Sequence, residues 1–79
     1  MQIGCGVYQL TIRNRPYLYF WHYEPRDGRR AQIKEYVGPA KATRSRDEAV
    51  RRCEAYYRRV AAELDRTRTE TLAALATRA

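Results

Sequence analysis

The stretch YLYFWHY, residues 17–23, places six rings in seven consecutive positions of a 79-residue chain. Rings suit the pleated, half-buried surface of a sheet, so the stretch reads as a strand. On either side, VYQLTIR at 7–13 and RAQIKEYV at 30–37 alternate in character with the period of two that a strand requires. Asn14-Arg15-Pro16 reads as the turn joining the first two segments. Glu24 to Arg29 joins the next pair, with Pro25 presetting its φ and Asp27-Gly28 supplying a positive-φ position. Gly38-Pro39 then ends the third segment, because proline has no amide hydrogen for a ladder. The expectation is a three-stranded antiparallel meander over about 7–13, 17–23 and 30–37.

A helix is expected next, over about 46–66. Ser45 with Glu48 has the spacing of a capping box, Asp47 adds a favourable negative charge to the first turn, and Val50, Cys53, Tyr57, Val60 and Leu64 make one apolar stripe. The tail has two readings. Thr67 and Glu70 form a weaker capping box that would start a second helix, whereas an unbroken helix would continue to about 78 and leave Leu72 and Leu75 in need of a partner. The unbroken helix is preferred. The fold class is therefore α+β, a sheet backed by one long helix, with a ββ-β-α unit over 1–66 and a helical extension over 67–79.

Alternation splits the strands into two sets. One is nearly all apolar: Tyr8, Leu10, Ile12; Leu18, Phe20, His22; Ala31, Ile33, Glu35, Val37. The other mixes rings with cations and amides: Val7, Gln9, Thr11, Arg13; Tyr17, Tyr19, Trp21, Tyr23; Arg30, Gln32, Lys34, Tyr36. With one helical stripe available, the aliphatic set is expected to be the core and the ring set to stay open. The inverted phase, which one bulge would produce, would bury Arg30, Gln32 and Lys34 at a high cost in desolvation.

Charge follows the same division. The net charge is +7, of which residues 1–46 carry +6, from seven Arg and two Lys against Glu24, Asp27 and Glu35. Such a basic half points to a polyanion, above all nucleic acid, although a basic surface also serves solubility. On the open face, Arg13, Arg30, Gln32 and Lys34 could reach base edges in a duplex groove, while Tyr17, Tyr19, Trp21 and Tyr23 could stack unpaired bases; Tyr36 belongs to the same binding face. Arg15, Arg26, Arg29, Arg44 and Arg46, in turns and the linker, could hold phosphates.

The Y-L-Y-F strand, the D-G turn, the basic third strand and the Y-V-G ending, in the order three strands then helix, resemble the small amino-terminal DNA-binding domains of tyrosine recombinases (phage-type integrases). The resemblance covers residues 7–64 and is one of pattern. It implies a sheet that enters the major groove, and a free-standing binding module, since the recombinases' catalytic set lies in a further domain. The Y-L-Y…D-G…Y-V-G-P run also looks like short basic proteins of archaea and their viruses.

Catalytic readings are weak. His22 is the only histidine and falls on the expected core face; Cys5 and Cys53 have no C-x-x-C neighbour; Gly4-Cys5-Gly6 lacks the Lys-Ser/Thr of a phosphate loop. Glu35 reads as an ion-pair partner. The two cysteines make no disulfide framework, and Cys53 reads as a buried free thiol with a bridge to Cys5 as the alternative. No catalytic residue, metal or cofactor is expected. The chain is expected to be a cytoplasmic, nucleoid-associated protein, or to work in the host cytoplasm if viral, that binds duplex or single-stranded DNA without any membrane span; the tail allows a homodimer. The alternative is a protein-interaction module docking a partner on the same aromatic face.

Overall fold

The computed structural model describes residues 3–26 and 29–77, with the backbone alone at Arg26. Three strands, β1 (Cys5–Ile12), β2 (Arg15–Arg26) and β3 (Arg29–Pro39), form an antiparallel sheet in the order β1-β2-β3, and one helix, α1 (Thr43–Ala76), follows. This is the α+β architecture expected from the strand and helix periods. The expected Asp27-Gly28 turn lies outside the described residues, as does residue 78.

The β1–β2 connection differs from the expected Asn14-Arg15-Pro16 turn. It is a two-residue turn at Arg13 and Asn14, with φ of 51° and 64°, the pair of positive values that a type I′ hairpin needs. Ile12 therefore faces Arg15, Leu10 faces Tyr17 and Tyr8 faces Tyr19. A three-residue turn would have paired Arg13 with Tyr17 instead. The change in loop length is odd, so it exchanges the two faces of β1. Tyr8, Leu10 and Ile12 lie on the ring face, while Val7, Gln9 and Thr11 lie on the helix side, the reverse of the phase expected for this strand.

β2 and β3 keep the expected phase. His22 faces Ile33 and Phe20 faces Glu35 on the helix side, whereas Tyr19 faces Tyr36, Trp21 faces Lys34 and Tyr23 faces Gln32 on the other. An irregularity between Leu18 and Tyr19 sets Leu18 opposite Gly38 and leaves Val37 without a counterpart, which carries Gly38 to the helix side.

The helix begins earlier than expected, and without a capping box. Ala42 is the N-cap and makes no side-chain bond; no acid lies in the first turn. Ser45 is instead buried inside the helix, and Glu48 binds Arg51 and Arg52. Thr67 and Glu70 start no second helix, since α1 passes through them unbroken.

The face turned to the sheet is also rotated from the expected stripe. Ser45, Ala49 and Tyr56 are buried, Cys53 and Val60 half-buried, and Val50, Tyr57 and Leu64 exposed. Small residues decide this. Ser45 packs against Gly38 and Ala49 lets the backbones approach, two positions that a search for large apolar residues passes over. The Tyr56 hydroxyl then fixes the far end, accepting from the Gly4 amide (3.2 Å) and donating to the Tyr23 carbonyl (3.0 Å). Each bond contributes roughly 0.5–1.5 kcal/mol, and together they tie α1 to the region preceding β1 and to β2. The core is small: Phe20, Ala49 and Tyr56, at 3%, 5% and 4% exposure, are its buried apolar members among the described residues.

A Cβ at Gly38 would collide with Ser45 Oγ. Gly38→Ala is expected to cost about 1–3 kcal/mol in urea unfolding. Adding Ser45→Ala, which removes the colliding oxygen, should restore most of that loss in a double-mutant cycle.

Candidate nucleic-acid interface

The sheet surface away from α1 carries Tyr8, Tyr17, Tyr19, Trp21, Tyr23 and Tyr36, held by the register rather than by any covering element. They pave the face in two groups, Tyr8 with Tyr17, Tyr19 and Tyr36, and Trp21 with Tyr23. Tyr8 stacks on Tyr19 with centroids 5.4 Å apart and planes 18° apart. Tyr36 meets Tyr19 edge-on at 5.6 Å and lies 6.0 Å from Tyr17. Trp21 and Tyr23 form a second edge contact at 5.4 Å. Such lateral contacts, worth about 0.5–1.5 kcal/mol each beyond area burial, steady the rings against one another, and all but Tyr36 are half-buried. Leu10, Ile12 and Tyr36 remain exposed at the margin.

Gly6 is what lets the indole lie down. It faces Trp21 across the ladder, and a Cβ there would stand 2.9 Å from both Cζ2 and Nε1 of the indole. Trp21 therefore covers β1 in a way that any side chain at position 6 would prevent.

The cations fall into two groups. On α1 five arginines are answered, Arg51 and Arg52 by Glu48, Arg66 by Glu63, Arg68 by Asp65, and Arg59 by Glu24 of β2, whereas Arg44, Arg46 and Arg58 pair with no carboxylate among the described residues. Arg59 also holds the Glu24 carboxyl below the usual carboxylate range, through a hydrogen bond that outweighs its desolvation. Around the ring pavement, no carboxylate pairs with Arg13, Arg15 or Lys34 among the described residues, nor with Arg29, which starts β3 in the opposite phase. The Lys34 ammonium lies 5.9 Å from the Tyr8 ring centre, and Arg13 and Arg15 border a shallow hollow with Tyr17, Tyr19 and Tyr36.

Of the residues expected at the interface, Tyr17, Tyr19, Trp21, Tyr23, Arg30, Gln32, Lys34 and Tyr36 share the face. Arg13 joins from the turn and Arg15 from the first position of β2. Arg44 and Arg46 lie elsewhere, exposed in the opening turns of α1 on the opposite side of the sheet. Arg29 sits at the start of β3, and the side chain of Arg26 lies outside the described residues. Tyr8, Leu10 and Ile12 were not expected here; their signal is the Arg13-Asn14 turn, whose length sets their side.

His22 lies on the helix side, stacked on Phe20 at 5.3 Å. Its Nε2 is 3.3 Å from Glu35 Oε1, and its Nδ1 is 3.7 Å from Glu24 Oε1. Glu35 thus lies beside the imidazole, and no Lys or Arg pairs with it among the described residues. Cys5 and Cys53 are free, half-buried thiols; burial, with Cys53 beside it, pushes the Cys5 thiol up to about 11. Among the described residues no group of three or more His, Cys, Asp or Glu could hold a metal, and no helix is long and apolar enough to cross a membrane. Comparison of the chain with models of protein families, with curated proteins and with solved structures finds no match.

Gly6→Ala should lift the indole off β1. Trp21 is the only tryptophan, so its emission is expected to move to longer wavelength while the helical circular dichroism is kept. An unchanged emission maximum would mean that Gly6 does not support the pavement.

Proposed function

We propose that the chain is a non-catalytic DNA-binding protein that uses the ring pavement of its sheet, with unpaired bases as the preferred ligand. The observation carrying this reading is the set of rings that shares one uncovered face of the sheet, with Arg13, Arg15 and Lys34 beside it paired to no carboxylate among the described residues. A polyanion laid across the pavement would supply the missing charge.

The preference for unpaired bases follows from the face of β1. Tyr8, Leu10 and Ile12 stand where Gln9, Thr11 and further polar groups would have supported base-edge reading. Rings stack on any base at roughly 1–3 kcal/mol each, without the donor and acceptor pattern that groove reading needs. In this reading Tyr8, Tyr17, Tyr19, Trp21, Tyr23 and Tyr36 carry bases, and Arg13, Arg15, Arg29, Arg30 and Lys34 hold phosphates. Gln32 is left to make the few edge contacts. The resemblance to integrase amino-terminal domains is compatible with DNA as partner, and differs in favouring a duplex.

One observation favours a protein partner instead. Leu10 and Ile12 are exposed beside Tyr36, and aliphatic side chains gain from a protein surface more than from a phosphate backbone.

Binding of a labelled oligothymidine and a matched duplex, measured by anisotropy at two salt concentrations, separates these readings. With about six phosphates neutralised, log Kd should change with log salt by about 4 for the single strand, and the single strand should bind more tightly than the duplex. Arg15→Ala and Lys34→Ala should each lower the salt slope by about one contact's share. Absence of DNA binding at low salt would overturn the proposal in favour of a protein partner.

A further inference from the structure

The chain exposes more surface than its mass explains. Its accessible area is 6427 Å², whereas a compact monomer of 9.3 kDa would expose about 5,000 Å². Its radius of gyration is 17.4 Å, against about 12 Å for a compact chain of this length. Much of the excess belongs to α1. From Ala61 to Ala76 every helical residue is exposed, and Thr67 borders the hollow at the Pro25–Arg30 end of the sheet while the helix runs on to Ala76.

The overhanging helix is not uniformly polar. Val50, Tyr57 and Leu64 recur every seven residues, and Leu75 continues their line; they are 57%, 49%, 51% and 59% exposed. At about 100° per residue, this line lies roughly a quarter turn from the sheet-facing line of Ser45, Ala49 and Tyr56. A seven-residue repeat is the spacing by which one helix seats against another. Among the described residues, the sheet touches it only at its near edge, where Tyr57 reaches the Cys5 thiol and Leu64 borders a hollow with Ile3 and Tyr23.

We infer that this second stripe of α1 is a homodimer seam, in which two copies pack antiparallel about a two-fold axis near Ala61. This arrangement fills what each copy leaves open. Tyr57 meets the partner's Leu64, Val50 meets the partner's Leu72, and the overhanging end of each helix covers the exposed first half of the other. It also gives charge partners to Glu54 and Arg58, which have none among the described residues: they fall beside the Arg68 and Asp65 pair of the other copy. A parallel pairing would bring the flank away from one copy's sheet against the sheet-bearing flank of the other. The seam and the ring pavement lie on different sides, so the inference does not rest on the DNA reading.

Light scattering of the full chain at micromolar concentration should give twice 9.3 kDa. Tyr57→Glu and Leu64→Glu, at half-exposed positions outside the chain's own core, should give the single mass with undiminished circular dichroism per residue in the sheet region. A monomeric wild type, or variants that stay dimeric, would overturn the seam. Should the Glu variants unfold, cross-linking decides. In a Cys5→Ser, Cys53→Ser background, oxidation should join two copies through Ala61→Cys but not through Leu75→Cys, which the antiparallel arrangement places far apart. Cross-linking through Leu75→Cys, or failure through Ala61→Cys, would contradict it.

Discussion

A single helix can cover only one face of a sheet, and the organisation of this chain follows from that constraint. Phe20 and its neighbours on the helix side receive Ala49 and Tyr56. The opposite side receives no element among the described residues, and the rings there lean on one another instead. Edge and stacking contacts recover part of the packing that a covering element would have given. They leave a ring-lined surface open to solvent.

The helix covers its own side sparingly. Small residues bring it close at Gly38, and one tyrosine hydroxyl anchors it at the other end. Between those points the buried apolar set is short, and a core of that size supplies only about 3–5 kcal/mol unless something supports it. A second copy along the outer stripe of α1 would be such support. The length of α1 then has a structural reason, since its outer half would stabilise a neighbour rather than its own sheet.

Much of the fold was legible because its signals are local. Period-two alternation in β1 and β3, the ring run in β2 and the break at Gly38-Pro39 specify three strands and then a helix. Two features were not legible, for different reasons. The side taken by Tyr8, Leu10 and Ile12 depends on whether the first turn has two residues or three, and Asn14 serves either. The orientation of α1 depends on Ser45 and Ala49, whose importance is their smallness, so a stripe drawn through Val50, Tyr57 and Leu64 identifies a real apolar line that is not the sheet-facing one. On the ring face, Tyr17, Tyr19, Trp21, Tyr23, Gln32 and Lys34 were placed by strand phase alone. Arg44 and Arg46 were not, because their position depends on where α1 starts.

Trp21 lies within the pavement, and as the only tryptophan it reports on that surface without a label. Its intrinsic emission during titration with oligothymidine at low salt is the most direct measurement. Stacking of bases on the sheet predicts saturable quenching that is reversed by added salt. Unchanged emission under conditions where the oligonucleotide is bound would place the binding surface elsewhere and contradict the account.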